Sequence, residues 1–125
     1  MRIVIETIPH GAQRYPTVGD WQFDRHPLTG EDALYIKVSE FGSANMHMLV
    51  AVHELVEALL CKHRDIAERE VDQFDKAFTG PGEPGDDMAA PYWQEHQFAS
   101  GIERLLAAEL GVNWVEYERL VDALP

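Results

Sequence analysis

Cysteine and basic residues are both scarce in this chain. A single cysteine, Cys61, among 125 residues excludes an intrachain disulfide. Lysine and arginine together number 10 against 22 aspartates and glutamates, which leaves a formal net charge of −12. Such a chain repels phosphate backbones and has no basic stripe to offset that repulsion. We therefore expect no nucleic-acid partner.

A long uninterrupted hydrophobic run is also missing. The longest apolar stretch, residues 50–61, is broken by His53, Glu54 and Glu57 and is shorter than the roughly 20 residues that cross a bilayer. The N-terminus does not pair a basic region with an apolar stretch, as a signal peptide would. These absences predict a cytoplasmic protein that does not associate with membranes.

Hydrophobic residues make up 46% of the chain, enough for one modest core and a single domain over residues 1–125. Residues 2–8, 17–23 and 33–40 are rich in β-branched residues or alternate between apolar and polar side chains, which is typical of strands. Pro27 and Gly30 favour a hairpin between the second and third strands. The expected fold is therefore α+β, with a small N-terminal antiparallel sheet of about three strands followed by three to four helices.

Helical patterns begin after Gly42. A first helix should begin with Ser43 or Asn45 as its N-cap and reach about Arg64, and a second should begin at Asp65 and end at Thr79. The glycine- and proline-rich residues 80–87 predict an irregular loop, a candidate mobile flap. A third helix is expected over residues 91–110, and a short last helix is expected after a capping box at residues 113–116.

The first helix carries the residues with the clearest chemical meaning. Nine of the twelve residues from 50 to 61 are apolar, so the helix should be buried, yet it contains His53, Glu54 and Glu57. Buried carboxylates and imidazoles need partners, and one metal ion satisfies several of them at once. His53 and Glu57 lie four residues apart, about 40° around the helix, so both side chains can reach one ion.

A catalytic zinc site takes three protein ligands and leaves one position open for water. The best third ligand is His96, which begins a stripe of small residues on the third helix, Ala99, Ser100 and Ala107. Glu103 lies on the same stripe and could orient a ligand from behind. The sequence thus predicts a zinc site of His53, Glu57 and His96.

A purely structural role is the alternative for the same residues. His53 and Glu57 could form a buried pair with Arg104 or Lys62, and His96 could be an exposed residue of a first helical turn. Cys61 continues the stripe of His53 and Glu57 but should belong to the core. The remaining histidines show no comparable spacing and are expected in loops or on the surface: His10, His26, His47 and His63.

The pentad His53-Glu54-Leu55-Val56-Glu57 resembles the His-Glu-x-x-His motif of zinc metalloproteases, with Glu57 at the second histidine position. Together with the order of elements, it looks like a minimal zincin-type fold. This resemblance implies that Glu54 acts as general base in a zinc-dependent hydrolase or peptidase. It also implies that an edge strand just before the helix, residues 33–40, holds an extended peptide or other substrate.

Two further resemblances give other expectations. The pentad, the Glu83-Pro84-Gly85-Asp86 loop and residues 94–111 resemble small uncharacterised proteins of phages and prophages, which implies a viral origin, the host cytoplasm and a host or phage protein partner. On that basis the chain could be a non-enzymatic interaction protein. The acidic pairs Glu54-x-x-Glu57 and Asp72-x-x-Asp75 are similar to the Mg²⁺ site of MazG-type nucleotide pyrophosphohydrolases, although that fold is all-helical.

Overall fold

A three-stranded sheet forms the N-terminal third of the protein in a computed structural model that describes all 125 residues. Its strands are β1 (Arg2–Ile8), β2 (Gly19–Arg25) and β3 (Asp32–Ser39), in the order β1-β3-β2. The predicted hairpin is confirmed, because β2 pairs antiparallel with β3. The prediction of a wholly antiparallel sheet is wrong, because β1 pairs parallel with β3. Residues 9–18, which include a short 3-10 helix at His10–Ala12, carry the chain past β3 to its far side.

The order of strands also overturns the expected substrate-binding edge. Residues 33–40 were expected at an edge, whereas β3 is the central strand and buries Leu34, Ile36 and Val38. Alternating apolar residues predict which face of a strand is buried, but they do not say whether both of its edges are paired. The two edges of the sheet are β1 and β2.

Four helices follow the sheet: α1 (Ala44–His63), α2 (Glu68–Ala77), α3 (Trp93–Glu109) and α4 (Trp114–Asp122). The Ser43 side chain accepts a hydrogen bond from the Met46 amide, and the Asn113 side chain accepts one from the Glu116 amide, as the sequence predicted. The α+β class with four helices is therefore confirmed.

The prediction that α2 begins at Asp65 is wrong. Asp65 adopts a left-handed conformation with φ of 55°, and α2 begins three residues later. The Ile66 amide donates to the Cys61 carbonyl and the Asp65 amide donates to the Lys62 carbonyl, which is the Schellman pattern of a helix C-terminus. Aspartate tolerates the left-handed region, so here it ends one helix rather than beginning the next.

Helix α1 packs on the sheet with one flank and against α3 with another. Its Leu49, Ala58 and Cys61 are fully buried, which confirms that Cys61 belongs to the core. By length and composition alone α1 could cross a membrane. Core helices pass the same test, and α1 buries His53, Glu54 and Glu57 against other elements of the fold.

Glycine at position 19 lets β2 approach α1 closely. A Cβ atom at Gly19 would lie 2.6 Å from Glu54 Oε1 and 2.7 Å from Val50 Cγ1, well inside van der Waals contact. The backbone of β2 can therefore lie this close to Glu54 and Val50 only because residue 19 has no side chain.

We predict that Gly19→Ala lowers the free energy of unfolding by about 1–3 kcal/mol, the usual effect of overpacking a core. Urea unfolding measures the change. Gly11→Ala is the matched control, because a Cβ there has no neighbour within 4 Å. Equal stability of the two variants would contradict the close approach of β2 to α1.

Candidate metal centre

Three predicted ligand atoms converge between α1 and α3. His53 Nε2 lies 3.1 Å from Glu57 Oε2 and 3.1 Å from His96 Nδ1, and Glu57 Oε2 lies 2.9 Å from His96 Nδ1. All three side chains are buried. Ligand atoms around a tetrahedral zinc ion, with bonds of about 2.0–2.1 Å, lie about 3.3 Å apart. The triangle is therefore close to the size that one such ion requires.

The outer nitrogen of His53 is held by a carboxylate. His53 Nδ1 lies 2.8 Å from Glu103 Oε1, and the Tyr117 hydroxyl donates to Glu103 Oε2 at 2.5 Å. Because a carboxylate accepts hydrogen bonds, it favours the tautomer with the proton on Nδ1 and leaves the lone pair of Nε2 facing the triangle. Histidine ligands in metal sites commonly have this arrangement. Helix α4 thus contributes to the site through Tyr117.

The outer nitrogen of His96 faces two carboxylates of the loop before α3. His96 Nε2 is 3.2 Å from Glu83 Oε2 and 3.2 Å from Asp86 Oδ1, although neither contact has hydrogen-bond geometry. A Cβ at Gly85 would lie 2.4 Å from the imidazole, so the loop presses on the ring. We interpret Glu83 and Asp86 as groups that favour a proton on Nε2 and free Nδ1 for the triangle.

The charges around the two imidazoles favour a cation. Burial lowers the pKa of His96, but Asp86, Glu57 and Glu83 outweigh it and raise that pKa to about 12. Burial likewise opposes protonation of His53, whereas Glu103 and Glu57 raise its pKa well above the usual value. Burial raises the pKa of Glu57, and hydrogen bonds from the two histidines reverse this and lower it to about 2. Positive charge between these side chains is therefore stabilised, whether protons or a metal ion supply it.

Glu54 is the one buried acidic residue at the site whose carboxyl group makes no hydrogen bond. Its neighbour Glu57 receives the Trp21 indole N–H on Oε1 at 3.0 Å, whereas no protein group hydrogen-bonds to the Glu54 carboxyl group. Burial raises the pKa of Glu54 well above its usual range, and the charge on Glu57 raises it further. Glu54 is thus a carboxyl group with an elevated pKa beside the triangle.

A cavity of about 410 Å³ opens beside these residues. Its wall includes His53, Glu54, Glu57 and His96, together with residues of β2, α2 and the loop before α3. The interior is therefore accessible to a small molecule or to a segment of peptide.

Three of the aspartates that line the cavity each have a partner within the protein. Asp20 and Asp72 share the Arg14 guanidinium, at 2.8 Å and 3.1 Å. Asp75 accepts hydrogen bonds from the Tyr92 hydroxyl and, at 3.2 Å, from the Tyr15 hydroxyl. These partners leave Asp72 and Asp75 little freedom to bind a cation.

The structure does not support the proposed buried partners of His53 and Glu57. The Arg104 guanidinium lies over the Trp114 ring and the Lys62 ammonium lies over the Phe23 ring. Both cations contact aromatic rings rather than His53 or Glu57. The prediction of a buried pair with Arg104 or Lys62 is therefore wrong.

The other four histidines were expected in loops or on the surface, and three of them lie outside the cavity. His63 is exposed, His26 lies in the β2–β3 turn and His47 bonds to the backbone of Phe41. His10 is half-buried, bonds to the Ser39 hydroxyl at 2.9 Å and lines the cavity.

Sequence reasoning missed several residues that shape the site. Tyr117, Trp21, Glu83 and Asp86 come from separate segments, and no periodicity links them to α1. For the Glu83-Pro84-Gly85-Asp86 loop, the sequence predicts an irregular segment and candidate mobile flap and resembles phage proteins, but it indicates no contact with the histidines. A buried histidine pair that needs carboxylates behind it is the one signal that could have directed attention to that loop.

Comparisons with protein-family models, with curated proteins and with solved structures found no match. The resemblances to zincins, to phage proteins and to MazG-type enzymes stay predictions.

We predict that the purified protein binds about one zinc ion per chain, and that His53→Ala and His96→Ala each abolish stoichiometric binding. Each substitution removes one of three ligand atoms. Elemental analysis after dialysis against limiting zinc measures the stoichiometry.

His63→Ala is the matched control, since His63 lies on the same helix as His53 but is exposed. A wild-type protein without tightly bound zinc, or equal loss in the control, would rule the site out.

The buried Asp75 generates a prediction on pH. Burial outweighs the hydrogen bond from Tyr92 and raises its pKa from 3.8 to about 6. Folding then favours the protonated form, so Asp75 weakens the fold as pH rises through about 4 to 7. The stability of Asp75→Asn relative to wild type should increase over this range by up to about 3 kcal/mol.

Urea unfolding at several pH values, in the presence of a chelator, checks this trend. Asp122→Asn controls for the loss of one negative charge at an exposed position on the same cavity. A stability difference that stays constant with pH would show that Asp75 is not desolvated.

Proposed function

We propose that this chain is a zincin-like metalloprotein that acts as a zinc-dependent hydrolase on peptide substrates. The single observation that carries the proposal is the triangle of His53 Nε2, Glu57 Oε2 and His96 Nδ1, with carboxylates behind both imidazoles. The donor set of two histidines and one glutamate suits catalytic zinc. The small separation of these atoms suits one ion.

Within this proposal His53, Glu57 and His96 hold the ion, and Glu103 fixes the ring of His53. A zinc ion held there would supply Lewis-acid chemistry, which activates water and polarises a carbonyl group. Glu54, in its ionised form, would take a proton from the attacking water and pass it to the amine nitrogen that leaves as the peptide C–N bond breaks. Its lack of hydrogen bonds supports this role, because a general base needs an unoccupied oxygen facing the cavity.

The substrate would lie along β2 rather than β3. The Phe23 amide donates to the Glu68 side chain, on the side away from β3, so the backbone groups of Trp21 also point away from β3. Gly19, Asp20 and Trp21 line the cavity beside Glu54. An extended peptide paired with this short stretch of edge would cross in front of the triangle.

A Mg²⁺-dependent nucleotide pyrophosphohydrolase is the second candidate. One observation favours it: Glu54, Glu57, Asp72 and Asp75 line the same cavity. The contacts of Asp72 with Arg14 and of Asp75 with two tyrosines count against it, and so does the net charge, because a phosphate-rich substrate is repelled by acidic walls.

Under the zinc hypothesis Glu54→Gln should keep its zinc and lose peptide hydrolysis by about 10²–10⁴-fold, the typical contribution of a general base. Glutamine has nearly the same shape and cannot take the proton. Cleavage of an unfolded protein substrate and of a mixed peptide library, followed by mass spectrometry, measures the activity.

Asp75→Asn is the control, because Asp75 lines the cavity but is none of the proposed zinc ligands, so its substitution should leave peptide cleavage largely intact. Release of pyrophosphate from nucleoside triphosphates with Mg²⁺, lost in Asp75→Asn, would favour the second candidate instead. A zinc-loaded wild type that cleaves neither substrate, with partner binding unaffected by Glu54→Gln, would favour the non-enzymatic interaction protein.

A further inference from the structure

The outer edge of the sheet at β1 lacks several of the features that usually protect such an edge. Within β1 there is no proline, no bulge and no lysine. Strand β2, at the other edge, differs because Glu68 accepts its outward Phe23 amide. Strand β1 is therefore the less protected of the two edges.

The direction of the free backbone groups follows from one contact. The Ile8 carbonyl accepts the Glu40 amide, so Ile8 directs its backbone toward the β3 side. Because backbone groups alternate along a strand, Arg2, Val4 and Glu6 share that direction. The N–H and C=O groups of residues 3, 5 and 7 consequently point outward.

The side chains at this edge are apolar on one face of the sheet. Ile3 and Ile5 pair with the buried Leu34 and Ile36, so they lie on the face that α1 covers. They are nevertheless 54% and 48% exposed, and Met1 beside them is 63% exposed. Apolar residues that continue a core face without a cover mark a surface for association.

We propose that two copies of this chain form a dimer by antiparallel pairing of their β1 strands about a two-fold axis at Val4. In this register Ile3 is opposite Ile5 of the second copy. Both residues direct their backbone groups outward, so each such pair can exchange two hydrogen bonds. A register displaced by one residue would set outward groups against inward ones.

Several registers satisfy the backbone hydrogen bonds, and the charged side chains of β1 favour the one with the axis at Val4. The two-fold axis at Val4 sets Arg2 opposite Glu6 of the second copy, and the reverse pair forms by symmetry. Glu6 makes no ion pair within its own chain, and the contact of Arg2 with Glu31, at 3.5 Å, is exposed. The strand is therefore complementary to itself and locally neutral despite the net charge of −12.

The test is a charge exchange on the wild-type background. Multi-angle light scattering and sedimentation at several concentrations should show a dimer for the wild type. Arg2→Glu sets two carboxylates opposite each other in each cross-strand pair, and Glu6→Arg sets two guanidinium groups together. Each single variant should therefore weaken the dimer about tenfold or more. The variant with both changes restores opposite charges and should dimerise again.

Arg25→Glu is the control, because it makes the same charge change on β2, away from the β1 edge. Circular dichroism checks that each variant is folded. Hydrogen exchange on the wild type gives a second readout that needs no variant: protection of the Ile3 and Ile5 amides should increase with protein concentration.

Three results would overturn the proposal. The first is a wild type that stays monomeric at high concentration, and the second is a dimer that both single variants leave intact, which would locate the interface elsewhere. The third is failure of the double variant to regain the dimer although both single variants lost it. None of these outcomes depends on zinc or on hydrolysis.

Discussion

The Glu57 carboxylate, held between two buried imidazoles, is the interaction on which the rest of the site depends. Its Oε2 is within 3.1 Å of ring nitrogens from both α1 and α3, and its Oε1 receives the Trp21 indole N–H from β2. One carboxyl group thus joins three elements. A buried carboxylate without these partners would cost several kcal/mol, so the helices and the sheet must meet where they do.

The surrounding contacts keep this arrangement in place. At one end of the helix pair the Arg64 guanidinium contacts Glu95 at 2.6 Å, and further along Glu103 joins His53 to Tyr117. Glu83 and Asp86, in the loop before α3, lie against the His96 imidazole. Negative charges from several segments therefore face a pair of imidazoles, and their mutual repulsion is relieved only if positive charge lies among them.

Local patterns in the sequence predicted most of the helices, the hairpin and the α+β class. Capping residues such as Ser43 and Asn113 act on their nearest amides, so a few neighbouring residues contain the whole signal. The pentad on α1 was recognisable for a similar reason, because helical spacing alone brings His53 and Glu57 together. The stripe of small residues on α3 indicated His96 as a third member of the group. Its contacts with His53 and Glu57 depend on how α3 packs against α1, which the spacing of residues along the chain does not determine.

The sequence-based predictions were wrong or incomplete where the structure depends on contacts between residues far apart in the chain. The direction of β1 depends on how residues 9–18 cross the sheet, and Asp65 ends α1 because the turn there needs a left-handed residue, although the same side chain suits the start of a helix. Glu83 and Asp86 reach His96 only because the glycine between them admits the imidazole ring. Glu83 and Asp86 belong to the site because they face the His96 imidazole in space. For this fold, the requirement that both histidines have acceptors behind them is a stronger guide to the remaining residues than any spacing along the chain.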